Sequence, residues 1–163
     1  MSQRVLIDSL AFGREGGTLT GELQVAALTR LHDLLTDSGG SLQYRAEGRA
    51  NDRGRSQLLL EVSGSLSLCC QRCLETLEYP LRLRSLLEFV DDENDLTQDE
   101  LEDDSRDFLP VEKAQDLETL LEDEILLGLP PAPRHEQCSL PGPERDLAQV
   151  SPFSVLAGLR GKA

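Results

Sequence analysis

The chain has no tryptophan, a single methionine and only 4% aromatic residues. Its core must therefore be aliphatic, and leucine supplies most of it. The same scarcity leaves few rings on which nucleic-acid bases stack. No apolar run approaches the roughly 20 residues that cross a bilayer as a helix. The first residues lack the basic and then apolar segments of a secretory leader. These absences lead to the expectation of a soluble, cytoplasmic protein with no membrane partner. There is no glycine loop for phosphate and no nucleophile elbow. Asp91, Asp92, Glu93 and Asp95 do not have calcium-loop spacing. Phosphate-loop enzymes, elbow hydrolases and calcium binders are set aside on these grounds.

At 163 residues the chain has the size of one domain, 1–163, able to bury a core without help from a metal. Its net charge of −14 is concentrated. Residues 88–124 contain 17 acidic and two basic residues, whereas the remainder contains 13 acidic and 14 basic ones. Within that stretch, 91–109 has little apolar periodicity. It is expected to be a flexible acidic segment contributing little to the core. A local acidic lobe repels nucleic acid but attracts a cationic protein. Its candidate docking residues are Asp91, Asp92, Glu93, Asp95, Asp99, Glu100, Glu102, Asp103 and Asp104.

Apolar spacing suggests a first strand or extended segment within 3–12, then a glycine turn at Gly13, Gly16 and Gly17. Leu19, Gly21, Leu23 and Val25 alternate as in a short strand. Leu28, Leu31 and Leu35 change to helical spacing, predicting a short helix over 26–36. Leu42 to Ala50 alternates again. The strongest strand signal is Leu58, Leu60, Val62, Leu66 and Leu68, with polar residues between them. A further strand is expected from Tyr79 to Val90. Asp116 can cap a helix whose stripe is Leu117, Leu120, Leu121, Ile125 and Leu126, with Glu118, Glu122 and Asp123 on the polar face. Phe153, Val155, Leu156 and Leu159 form a small apolar cluster in the tail. The expected class is α+β: an antiparallel meander or small open barrel, two main packed helices and an acidic connection.

Cys70 and Cys73 flank Gln71 and Arg72; His135 and Cys138 flank Glu136 and Gln137. Each pair offers two soft donors two residues apart, and 61 residues separate the pairs. Thiolates and neutral imidazole suit zinc, so a structural Zn2+ on Cys70, Cys73, His135 and Cys138 is one reading. Reduced metal-free packing and a disulfide or redox pair are the others. A fully liganded ion leaves no position for a catalytic water. Cys69 is the spare thiol. A second surface, Arg45, Arg49, Arg82 and Arg84, carries forked phosphate donors and is the candidate for RNA.

The sequence resembles the bacterial YceD family. The likeness lies in Cys70-Gln71-Arg72-Cys73, the run from Leu120 to Pro130, the His135 and Cys138 region, and the stretch from Ser151 to Leu159. The resemblance implies a non-enzymatic role in synthesis, processing or stability of large-subunit ribosomal RNA, with no catalytic residues to carry over. It also implies a basic ribosomal or assembly protein as a plausible partner, since family genes often neighbour that of a small zinc-containing ribosomal protein. Direct precursor-RNA binding is the alternative within interaction proteins. A metal-dependent or thiol redox enzyme is the alternative of another class. Oligomeric state is not legible.

Overall fold

Fourteen consecutive residues, Ser56–Cys69, form the central strand β5 of an open sheet. The computed structural model describes residues 5–140. Along β5, Leu58, Leu60, Val62, Leu66 and Leu68 all face one side and are at most 2% exposed. That is the even-position alternation of the sequence made physical, because successive strand side chains point to opposite faces. Its neighbours are β4 (Ser41–Ala50) and β6 (Thr76–Val90), both antiparallel to it. Outside β4 lies β2 (Thr18–Gln24); the short β3 (Leu35–Asp37) pairs with the far end of β5. Outside β6 lies β7 (Asp107–Pro110), which runs parallel to it. The sheet is thus a meander with one parallel edge, and it does not close. A separate two-stranded pairing joins β1 (Leu6–Ile7) to β8 (Gln115–Asp116).

The amino-terminal expectation needs correction. Among the described residues of that stretch only Leu6–Ile7 is strand; Ser9–Glu15 is helix α1. The Asp8 carboxylate accepts the Leu10 and Ala11 N–H groups, and Gly16 closes the helix in the left-handed conformation at φ 65°. Gly13 lies where helix meets sheet: a Cβ there would sit 1.7 Å from Ser56 Oγ, so only glycine permits this approach. The helix expected over 26–36 is instead two 3-10 turns, Val25–Ala27 and Thr29–Leu34, which still bury Val25, Leu28 and Leu31.

Helix α3 (Leu117–Gly128) is capped by Asp116, whose carboxylate accepts from Glu118 and Thr119. Leu117, Leu120, Leu121 and Ile125 go into the core against β5 and β6. At about 1.5–3 kcal/mol per buried leucine-sized side chain, this stripe holds the helix down. Glu122, assigned by spacing to the polar face, is buried. Its carboxylate accepts the Arg30 backbone N–H at 2.7 Å and Nε at 3.0 Å. Glu124 is buried too, and that burial raises its carboxyl pKa. The two main helices are therefore α1 and α3.

Residues 91–109 contain more regular structure than their charge pattern suggests. They contain a 3-10 turn at Glu93–Asp95, helix α2 (Gln98–Leu101) and β7. Thr97 and Glu100 form a reciprocal capping box at the start of α2. The tail cluster Phe153, Val155, Leu156 and Leu159 lies outside the described residues. No helix among those described is long and apolar enough to cross a membrane.

Candidate metal centre and charged surfaces

The β5–β6 hairpin turns at Cys70–Glu75, just beyond the last cross-strand pair, Cys69 with Thr76. Cys70 N–H donates to the Glu75 carbonyl and Leu74 N–H to the Cys70 carbonyl, both at 2.9 Å. Leu74 takes a left-handed conformation, φ 63°, to complete this reversal. The turn places Cys70 and Cys73 on one side of the tip. After α3, a proline-rich strap runs back over it, and the Pro133 carbonyl accepts the Gln71 N–H at 2.8 Å. Arg72 donates from its guanidinium to the Cys138 carbonyl at 3.2 Å. These two bonds bring His135 and Cys138 onto the tip.

The four donor atoms of Cys70, Cys73, His135 and Cys138 lie within 4.8 Å of one another. Cys70 Sγ is 3.8 Å from Cys138 Sγ, and Cys73 Sγ is 3.3 Å from His135 Nδ1. A tetrahedral zinc ion with Zn–S about 2.3 Å and Zn–N about 2.0 Å needs S–S edges of about 3.8 Å and S–N edges of about 3.5 Å. The donor set therefore fits a structural zinc ion. His135 Nε2 lies 3.0 Å from the Thr76 carbonyl. A carbonyl only accepts, so Nε2 carries the proton and Nδ1 faces the thiols with a free lone pair, the tautomer a ligand needs. Cys70 is fully buried; the other three donors are partly exposed.

The thiols differ electrostatically. Burial alone would raise the Cys70 pKa, but N–H groups of Cys73, Arg72 and His135 outweigh it and bring it down to about 5. Burial, then the neighbouring Cys70 and Cys73, push the Cys138 thiol up. A thiol raised in this way is protonated at neutral pH and must release its proton to a metal. Zinc affinity should therefore tighten between pH 6 and pH 8 by about tenfold per pH unit for each proton released. Competition with a chromophoric chelator reads this directly, and a flat profile would contradict the assignment.

Cys69 stays outside the cluster, its Sγ 3.7 Å from the Leu74 carbonyl. Sequence spacing found the four donors. It did not find Thr76, Arg72 or Pro133, because backbone carbonyls and a proline-guided strap leave no residue-type signature.

A family comparison now bears on the chain. The model of a family described as large ribosomal RNA subunit accumulation protein YceD matches residues 58–160, more than half of the sequence. The chain belongs to the YceD family. No curated protein and no solved structure matches it significantly. The YceD match spans both halves of the cysteine and histidine cluster.

The charged residues of this YceD protein sort into three groups. Arg45, Arg49, Arg82 and Arg84 project from the face of the sheet opposite the core, but carboxylates are interspersed. Arg45 and Arg49 both bind Glu47, and Arg84 lies 3.6 Å from Glu61. Arg82 has no ion pair among the described residues, and with Arg45 it lines a shallow groove.

The second group is a network that sequence reading missed. Glu88 is fully buried on that same outer side. Its carboxylate accepts from Gln57 at 2.7 Å, Asn51 at 3.0 Å, Arg55 at 3.2 Å and Arg106 at 3.3 Å. Arg55 continues to Glu100 at 2.8 Å, and Arg53 reaches the same carboxylate at 2.6 Å. Backbone and hydroxyl donors of Thr97 also bind Glu100, and these bonds, led by the Thr97 N–H, lower its pKa. Glu100 thus anchors α2 to the β4–β5 turn. It is not an outward docking residue, which corrects the sequence expectation. Alternating spacing could not reveal it, since its partners lie 45 and 47 residues away.

The third group faces solvent: Asp91, Asp92, Asp95, Asp99, Glu102 and Asp104. Asp103 is half-buried and pairs with Arg106 at 2.9 Å.

Proposed function

We propose that this protein is a non-enzymatic ribosome-biogenesis factor that supports accumulation of large-subunit ribosomal RNA by docking a basic assembly protein. The observation that carries the docking surface is the mounting of the acidic strip. Exposed Asp91, Asp92, Asp95, Asp99, Glu102 and Asp104 stand on a segment tied to the sheet through Glu100, Arg53 and Arg55. Carboxylates held on a fixed platform lose less freedom on binding than those on a loose chain. The family's printed description supplies the ribosomal context. A four-donor metal set with no position left for water supports a structural ion rather than a catalytic one. Work in the cytoplasm follows from the same reading.

Changing Asp91, Asp92, Asp95, Asp99, Glu102 and Asp104 together to Asn or Gln tests the surface. Affinity purification with and without RNase identifies the basic partner. The variant should bind it at least about tenfold more weakly at low salt, with a shallower salt dependence. Unchanged binding removes the acidic strip from the account.

Direct contact with precursor RNA is the second reading, favoured by Arg82, which has no ion pair among the described residues and lines the same groove as Arg45. It requires that replacing Arg45, Arg49, Arg82 and Arg84 weakens RNA binding while leaving the protein partner bound.

A further inference from the structure

Strand β2 ends the sheet on one side, and β7 ends it on the other. The Gly48 N–H donates to the Gly17 carbonyl at 2.8 Å, and the Val25 N–H to the Gly40 carbonyl at 3.1 Å. These bonds set the phase of the β2–β4 ladder, so Gly21 and its odd-numbered neighbours bond β4. The N–H and C=O groups of Thr18, Thr20 and Glu22 therefore point away from the sheet, and none has a backbone partner among the described residues. An open edge of this kind invites another strand, and sheets guard against that with lysine, proline, a bulge or shortness. The β7 edge has two of these devices, since Asp107–Pro110 is four residues long and ends in proline. Strand β2 has none of them. Thr18–Gln24 pairs without a bulge along all seven residues and has one charge, Glu22.

We propose that two copies of this chain join at β2, edge to edge, into one continuous sheet. The sequence of β2 is matched to its own reversal about Gly21. In an antiparallel pair centred there, Thr20 faces Glu22 of the second copy, Thr18 faces Gln24 and Leu19 faces Leu23. No like charges meet. Gly21 lies on the axis, and Tyr44 fills the space above it: a Cβ at Gly21 would sit 2.7 Å from the Tyr44 hydroxyl. The core face offers a receptor. A cavity of about 100 Å3, lined by Val5, Leu23, Tyr44, Leu117 and Leu121, lies at the β2 edge beside Gln24. Leu19 is only partly buried in the single chain, and this register brings the second copy's Leu19 opposite Leu23, at that cavity. Charge placement favours the same partner. The acidic segment joins β6 to β7. Four strand spacings, about 19 Å, separate β7 from β2. That is more than twice the screening length of about 8 Å at physiological salt. Two chains of net charge −14 thus meet at the edge remote from their acids.

Sedimentation velocity of the full-length protein reads the association. The parent should pass from monomer to dimer between about 1 and about 100 micromolar. Thr20→Pro deletes an N–H that points outward, so the sheet within each chain keeps its bonds while the dimer should weaken at least about tenfold. Charge at the same exposed position reads the register. Thr20→Lys sets a lysine against each Glu22 across the join and should tighten the dimer about fivefold; Thr20→Glu should loosen it by a similar factor. A parent that stays monomeric at about 100 micromolar overturns the proposal and leaves the edge to a strand of another protein. A dimer indifferent to Thr20→Pro also overturns it, placing the contact elsewhere, and so does a shift of the same sign for lysine and glutamate.

Discussion

Stripping the metal from this protein should lower its thermal midpoint by about 8–16 °C. A ligand held at a thousand times its dissociation constant adds about 4 kcal/mol to the folded state. For a chain of this length each kcal/mol moves the midpoint by about 2–4 °C. The loss should be confined in space. Backbone bonds at the hairpin tip, such as Cys70 N–H to Glu75, survive in part because β5 and β6 pair along 13 positions without the ion. The strap does not have that support. Calorimetry with and without a chelator gives the shift. Hydrogen exchange should localise the damage to 131–140. Cys70→Ser should reproduce the shift, whereas Cys69→Ser should leave zinc stoichiometry at one per chain. An unaltered midpoint on complete zinc removal would mean that the four donors pack without an ion, the metal-free reading of the same cluster.

The second large effect is expected at Glu88. Changing it to Gln removes one charge from a site where Arg55 and Arg106 converge, and Arg106 Nε already lacks a partner. Arg55 keeps Glu100 and Arg106 keeps Asp103, and both are about a quarter exposed, so the loss falls below that of a fully buried pair, at about 1–3 kcal/mol. Urea unfolding measures this as a fall in midpoint at constant slope. The exposed pair of Arg84 and Glu61 is the internal control. Arg84→Ala should cost less than about 1 kcal/mol, as solvent-exposed pairs do. A Glu88→Leu variant adds a discriminating comparison, since it removes the carboxylate entirely; it too should destabilise, because Asn51, Arg55, Gln57 and Arg106 each lose an acceptor. Equal, small effects at Glu88 and Arg84 would show that the network is as well solvated as the surface.

These two sites illustrate what was legible in the sequence. The metal cluster was readable because cysteine and histidine are rare and paired at short spacing. The core side of the sheet was readable because β5 alternates strictly from Leu58 to Leu68. The Glu88 network was not readable. Glu88 sits in a strand where alternation assigns it only to the other face, and nothing local says that this face is covered. What meets it there are Asn51 and Arg55 of the β4–β5 turn, Gln57 of β5 and Arg106, which belongs to a segment whose high charge reads as solvated chain. Its acids are partly neutralised, Glu100 by Arg53 and Arg55 of the β4–β5 turn and Asp103 by Arg106. Helix α1 was missed for a different reason. Seven residues between Asp8 and Gly16 hold too few apolar positions to show a period, and the two caps carry the signal instead. The 26–36 turn was assigned helical spacing correctly, but i to i+3 bonding suffices to bury Leu28 and Leu31.

The metal centre unites residues from the β5–β6 hairpin with residues beyond α3. A ribosome makes Cys70 and Cys73 long before His135 and Cys138, so an emerging chain has at first only half a chelate. Two donors on a short turn hold zinc weakly and exchange it readily. Firm capture must wait until the sheet is paired, α3 is seated and the strap has crossed the hairpin. Zinc loading at this site would therefore come late, and a bound ion would mark a copy translated past Cys138 whose hairpin, α3 and strap have come together.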